Sequence, residues 1–182
     1  TPKFVDCCND YWNIDINSIS KSITKKTRAI IAVHIYGSIC EMNQILKIAH
    51  DNNIFVIEDT AEALGSSLNN QMAGTFGDIA TFSFFGNKTI TTGEGGMVSS
   101  KNPEFISKAK HLKSQAVSQD REYWHDDIGY NFRMTNVQAA IGLSQIEIIE
   151  DIINKKNYIN DWYKTALKNY PIQFQKKLPN SI

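Results

Sequence analysis

Two apolar runs separated by one amphipathic stretch constrain this chain more than any other feature. Ala29-Ile30-Ile31-Ala32-Val33 is continuous and of strand length, which predicts a strand buried on both faces. Tyr36-Gly37-Ser38 breaks the run. Met42, Ile45, Leu46 and Ala49 then recur at helical spacing between Glu41 and Asn52, and Asn52-Asn53 ends that helix. Ile54 to Ile57 is a second apolar strand, closing on Glu58-Asp59. Strand, helix and strand with short connections make a βαβ crossover, and such a unit implies a mostly parallel sheet with helices on its faces. Ligands bind beyond the carboxyl ends of the strands in such sheets. Asp59 and His34 stand at two such ends, although a hydrogen-bonded strand-end histidine is the leading reading of His34.

The rest of the chain is arranged around this unit. Lys3 to Asp6 reads as the end of a strand, and the segment up to Thr27 is polar with scattered apolar anchors such as Trp12 and Ile19. Beyond Asp59 come Ala61 to Gly65, a polar turn at Asn69-Asn70-Gln71, Gly74 and Gly77-Asp78. The stretch Thr81 to Ser100 follows. Its apolar run Phe82 to Phe85, with one serine, stops at Gly86, presents Lys88 and enters Thr91-Thr92-Gly93-Glu94-Gly95-Gly96 before turning apolar again. Two strands around a lysine-bearing loop are expected. Pro103 to about Lys113 is a short helix with proline in its first turn. Ser114 to Asp127 has no period and reads as a surface loop around Tyr123-Trp124-His125. From Asn136 the positions Val137, Ala140, Ile141, Ile146, Ile149 and Ile153 keep a helical period with Gln145 as the polar exception. One long helix is expected, with a break near Asn154 and a second amphipathic segment to Lys168.

Composition removes several classes of function. With 182 residues and 42% hydrophobic content the chain can bury one good core, and nineteen basic residues balance nineteen acidic ones. Zero net charge disfavours nucleic acid or an anionic membrane as the main partner. Three cysteines without metal-ligand spacing, and no secretory signal or long apolar span, predict a reduced, cytoplasmic setting without structural zinc.

Lys88 is the residue that composition does not explain. In a Gly- and Thr-rich pocket between strands a lysine loses hydration and gives up its proton more easily, as an amine nucleophile must. A P-loop needs Gly-Lys-Ser/Thr in sequence, but Asn87 separates Gly86 from Lys88. A dinucleotide fingerprint needs Gly-x-Gly-x-x-Gly opening a helix, and Gly93-Glu94-Gly95-Gly96 has neither that spacing nor a helix after it. A lysine and an aspartate at neighbouring strand ends remain. A buried salt bridge is one account of them. The other is the lysine-plus-aspartate arrangement of pyridoxal phosphate enzymes.

The wording of three blocks carries a resemblance. Val56-Ile57-Glu58-Asp59-Thr60-Ala61-Glu62-Ala63-Leu64-Gly65, then Gly77-Asp78-Ile79-Ala80-Thr81-Phe82-Ser83-Phe84, then Asn87-Lys88 with its Gly-Glu-Gly-Gly tail, resemble the DegT/DnrJ/EryC1/StrS family of sugar aminotransferases. Val33 to Gly37 upstream and Gly129 to Asn136 downstream fit the same family. The resemblance implies an α/β chain with the three-layer, mostly parallel sheet of the fold type I (aspartate aminotransferase-like) large domain, incomplete at both ends. Residues 1–153 would be part of the coenzyme domain, and 154–182 would lead to a small C-terminal domain. It implies pyridoxal 5′-phosphate as cofactor, a nucleotide-linked 4-keto-6-deoxy sugar as substrate, glutamate as amino donor and a homodimer with shared sites. By the same resemblance Lys88 would hold the coenzyme and move protons, Asp59 would pair with the pyridine nitrogen, and Ala61 would lie against the ring. Glu62 would reach the ring's 3-hydroxyl, Ser83 would bind the phosphate, and Asn131 would reach the neighbouring subunit's phosphate site. Tyr123, Trp124 and His125 either line the sugar-nucleotide site or anchor their loop. Two rival readings are a sugar 3-dehydratase of the same family, which carries histidine where Lys88 stands, and a non-catalytic remnant kept for dimerisation or nucleotide-sugar binding.

Overall fold

The computed structural model describes residues 1–182. Asp15 opens the first helix, α1 (Ile16–Ser22), its carboxylate accepting the Ser18 N–H at 2.7 Å, so the polar N-terminal segment holds a capped helix that its apolar spacing did not reveal. The expected strand at residues 3–6 is absent, and one isolated bridge, Cys7 to Ile14, takes its place. β1 (Ala29–Val33) and β2 (Phe55–Asp59) pair in parallel with Val33 opposite Asp59, and α2 (Met42–Asn52) crosses between them. Asn53 ends α2 in the left-handed region with φ 52°, a conformation asparagine tolerates.

A small hairpin follows, β3 (Ser67–Leu68) and β4 (Gln71–Met72). Its turn residues Asn69 and Asn70 have φ of 51° and 63°, as a two-residue turn matched to the strand twist requires. β5 (Ile79–Ser83) then pairs in parallel with β2, and β6 (Gly96–Ser99) pairs antiparallel with β5. The result is a four-stranded sheet in the order β1-β2-β5-β6. Strand alternation places Ile57, Asp59, Ile79, Thr81 and Ser83 on one face and Val56, Glu58 and Ala80 on the other.

The core lies on the second of these faces, where Ile30, Ala32 and Val56 meet Met42, Ile45 and Ala49 of α2. The expectation that β1 is buried on both faces fails: Ile31 is 57% and Val33 37% exposed. On this open face α3 (Pro103–Lys113) covers only one corner, through an edge contact of Phe105 with Phe55. Helices therefore flank the sheet on both sides, α1 and α2 against α3.

The expected long helix is two helices. α4 (Asn136–Ile146) ends at Glu147–Ile148, and α5 (Ile149–Ala166) runs on without interruption through Asn154. The break thus falls earlier than expected, and the division at 153/154 lies inside α5. The apolar stripe of α4 also faces outward: Val137 is 71% and Ile141 46% exposed, and the helix's buried residue is Gly142. No helix is long and apolar enough to cross a membrane.

Candidate active site

Lys88 leaves the carboxyl end of β5 on a turn closed by its own N–H to the Phe85 carbonyl at 3.0 Å. Its side chain is 20% exposed, and its amine lies 3.8 Å from Oε1 of Glu62. The other oxygen, Oε2, accepts the Tyr36 backbone N–H at 2.8 Å. Tyr36 itself is left-handed, with φ 53°, so the break after β1 aims that N–H at Glu62. A turn that the sequence marks only as a strand terminator thereby fixes the carboxylate beside the lysine.

Asp59 is the last residue of β2, opposite Thr81 of β5. Its Oδ1 accepts the Ala61 N–H at 3.1 Å, and Oδ2 takes no hydrogen bond within the chain. Asp59 forms no ion pair with Lys88, so the buried salt bridge that would explain both residues structurally is not made. Ser83 lies two residues beyond Thr81 on the same face, its hydroxyl accepting a long 3.4 Å bond from the Phe85 N–H. Ala61, partly buried, follows directly on this strand end. Lys88 and Glu62 are thus in contact, and Asp59 and Ser83 share the face of two neighbouring strands.

Asn131 stands apart from these five. It is exposed, bridges through its backbone to Ser114, and shares no hydrogen bond with them. Tyr123 is 97% exposed. Trp124 carries the Arg121 guanidinium 4.0 Å above its ring, and His125 Nδ1 bonds the Gln115 carbonyl at 2.7 Å. Those contacts tie the loop to itself and bring none of its three aromatics to Lys88.

His34 lies on the opposite face of the sheet from Asp59. Wholly buried, its Nδ1 accepts the Cys40 N–H at 3.2 Å, which leaves the proton on Nε2 to donate to Glu58 at 3.0 Å. Glu58 was not a candidate, yet it is the hub behind the site. Its carboxylate also accepts the N–H groups of Gly74 (2.8 Å), Phe76 (2.8 Å) and Gly77 (2.7 Å). Burial pushes this carboxyl up, but the His34, Gly77 and Gly74 hydrogen bonds outweigh burial and hold it below the ordinary carboxylate range. The sequence signal was a charge at a buried position of an apolar strand, next to the residue that mattered.

A cavity of about 440 Å³ opens beside Glu62, walled by Trp12, Tyr36, Lys156 and Lys164. The donor set fits pyridoxal phosphate: an amine on a short turn, a strand-end carboxylate with one oxygen free, a small alanine two residues beyond that carboxylate and a serine hydroxyl on the same face.

Comparison with known proteins agrees. Residues 1–181 match the model of the DegT/DnrJ/EryC1/StrS aminotransferase family. The chain is 51% identical over 177 residues to GDP-perosamine synthase of Escherichia coli O157:H7, covering 97% of this chain and 48% of that one. Among solved structures, Helicobacter pylori PseC, an aminotransferase involved in the biosynthesis of pseudoaminic acid, superposes with TM-score 0.88 at 32% identity over 94% of this chain and 46% of its own. The E. coli GDP-4-keto-6-deoxy-D-mannose-3-dehydratase with bound hydrated PLP does so with TM-score 0.88 at 28% identity, over 98% and 50%. The chain spans about half the length of the curated relatives it matches. Its α/β fold is that of about half of each of these enzymes' chains. The chain belongs to the DegT/DnrJ/EryC1/StrS aminotransferase family.

Proposed function

We propose that the protein is a pyridoxal phosphate-dependent aminotransferase that aminates a nucleotide-linked 4-keto-6-deoxy sugar, with glutamate as donor. The observation that carries this reading is Lys88 on its turn beside Glu62, with Asp59 and Ser83 on the adjoining strand ends. Pyridoxal phosphate, when bound, supplies an electron sink for a carbanion formed next to nitrogen. Lys88 would hold it through the amine and, as acid and base, would move a proton between coenzyme and substrate carbons. Asp59 would keep the ring nitrogen protonated through its free oxygen, and Ala61 would leave room for the ring face. Glu62 would hold the 3-hydroxyl and Ser83 the phosphate.

Asn131 belongs to the phosphate site of a second subunit in a homodimer. Support comes from its surroundings: it is exposed between Tyr130 and Phe132, whose rings stack at 5.0 Å, with Val137 beyond, all solvent-facing. Lys156 and Lys164 on the cavity wall suit the negative charge of a nucleotide diphosphate. Its three unpaired cysteines suit the reducing cytoplasm. A 4-amino sugar of the perosamine type is the product favoured by the likeness to GDP-perosamine synthase.

The reading is tested by incubating the protein with pyridoxal phosphate, glutamate and a panel of GDP-, dTDP- and UDP-linked 4-keto-6-deoxy sugars, and reading the products by mass spectrometry. An amino sugar from one member of the panel is the expected result. A deoxygenated keto sugar instead would favour the dehydratase, and no product would favour a binding remnant.

A further inference from the structure

The loop that presents Lys88 runs from Phe84 to Gly95 between β5 and β6. At its base the Thr92 N–H donates to the Phe84 carbonyl and the Phe84 N–H to the Gly95 carbonyl, both at 2.9 Å. These bonds close the loop on itself but do not fix where it lies. That is done from outside, by α4. Gln145 Oε1 accepts the Thr91 N–H at 3.0 Å, and its Nε2 donates to the Thr91 carbonyl at 2.7 Å and to the Ile141 carbonyl at 2.8 Å. Two turns earlier on the same helix Gln138 donates to the Glu94 carbonyl at 3.1 Å. Gly142 lets the helix approach: a Cβ there would come within 2.9 Å of Thr92 Cγ2.

We propose that Gln145 is a positioning residue for Lys88, holding the lysine loop by pairing in both directions with the backbone of Thr91. A primary amide satisfies an N–H and a C=O at once, through its oxygen and its nitrogen. Gln145 thereby repeats across a helix the pairing that a neighbouring strand would give, at a residue three positions from the amine. Asn131 lies five residues before α4 begins, so the helix that holds the loop of one site follows closely on the residue assigned to the partner's.

This inference rests on Lys88 being the amine that holds the coenzyme. The test titrates the protein with pyridoxal phosphate, reduces with borohydride and measures the fraction of Lys88 labelled by peptide mass spectrometry, alongside urea unfolding of each variant. Gln145→Leu is expected to raise the half-saturating coenzyme concentration about tenfold. Gln145→Glu keeps the shape and the acceptor for Thr91 N–H but lacks the donor, so it is impaired at about pH 8 and recovers relative to wild type towards about pH 5 as the carboxyl regains its proton. A merely structural glutamine would show a lowered urea midpoint with no such pH-dependent return. Labelling of folded variants within about twofold of wild type at both pH values would overturn the proposal. If wild-type Lys88 takes no label, the reading of the site itself fails.

Discussion

Glu58 and Asp59 are adjacent carboxylates with opposite surroundings. Asp59 faces the site with one oxygen free, whereas Glu58 is sealed behind it with four donors on its two oxygens. Removing Glu58 leaves three backbone N–H groups and one imidazole N–H without acceptors, so Glu58→Ala is expected to cost about 3–5 kcal/mol in urea unfolding. Glu58 also sets a pH dependence. The folded carboxyl lies below the ordinary value of 4.5, so its contribution is complete above pH 4.5 and is lost as pH falls through the lower folded value. Urea midpoints of wild type should therefore fall below that pH more steeply than those of Glu58→Gln. Cys40 makes a second residue-scale prediction. Burial pushes its thiol up to about 12, and it donates to the Val33 carbonyl at 3.2 Å. Iodoacetamide at neutral pH should label exposed Cys7 and leave Cys40 untouched until the protein unfolds. Lys88 and Asp59 were legible because both are polar residues at the ends of apolar runs. Glu58 was overlooked because an acid at a strand end reads as a surface group until the register shows which way it points.

At the scale of elements, the strand blocks also carry instructions for packing. Gly77 and Asp78 start β5 by clasping β2: Asp78 accepts the Val56 N–H at 2.7 Å and returns its own N–H to the Val56 carbonyl at 2.9 Å. A Cβ at Gly77 would stand 2.7 Å from that same carbonyl oxygen, a backbone atom that cannot swing aside. Gly77→Ala is expected to cost about 1–3 kcal/mol, seen as a lowered thermal midpoint. The βαβ unit was readable from periodicity because its apolar positions face a core that the chain itself supplies. The helical period from Asn136 identified α4 as a helix but not the face it packs with, for the complementary reason. Its apolar residues mark a face that nothing in the chain covers, while its contact with the lysine loop uses Gln138, Gly142 and Gln145, which a hydrophobic period cannot show. Likewise α1 is announced by its Asp15 cap rather than by any stripe.

Among the apolar surfaces the whole molecule presents to solvent, two adjoin the site-bearing strands and α4. One is the sheet face with Ile31, Phe55 and Val98, and the other is the α4 side with Phe132, Val137 and Ile141. The second flanks Asn131, and a shared site makes a quantitative prediction there. If Asn131 serves the partner's site, Lys88→Ala and Asn131→Ala are each inactive alone, but mixed and reassembled dimers regain roughly a quarter of the sites; no recovery on mixing would place Asn131 in its own subunit. That assignment, like the substrate, came from the wording of the family blocks, since no spacing in one chain reveals a contact made by two. The central claim concerns the amine in the loop after β5. Borohydride reduction of the protein with pyridoxal phosphate, followed by peptide mapping, tests it most directly. The account predicts a pyridoxyl group on Lys88 that is lost in Lys88→Ala; label on another lysine, or on none, would contradict it.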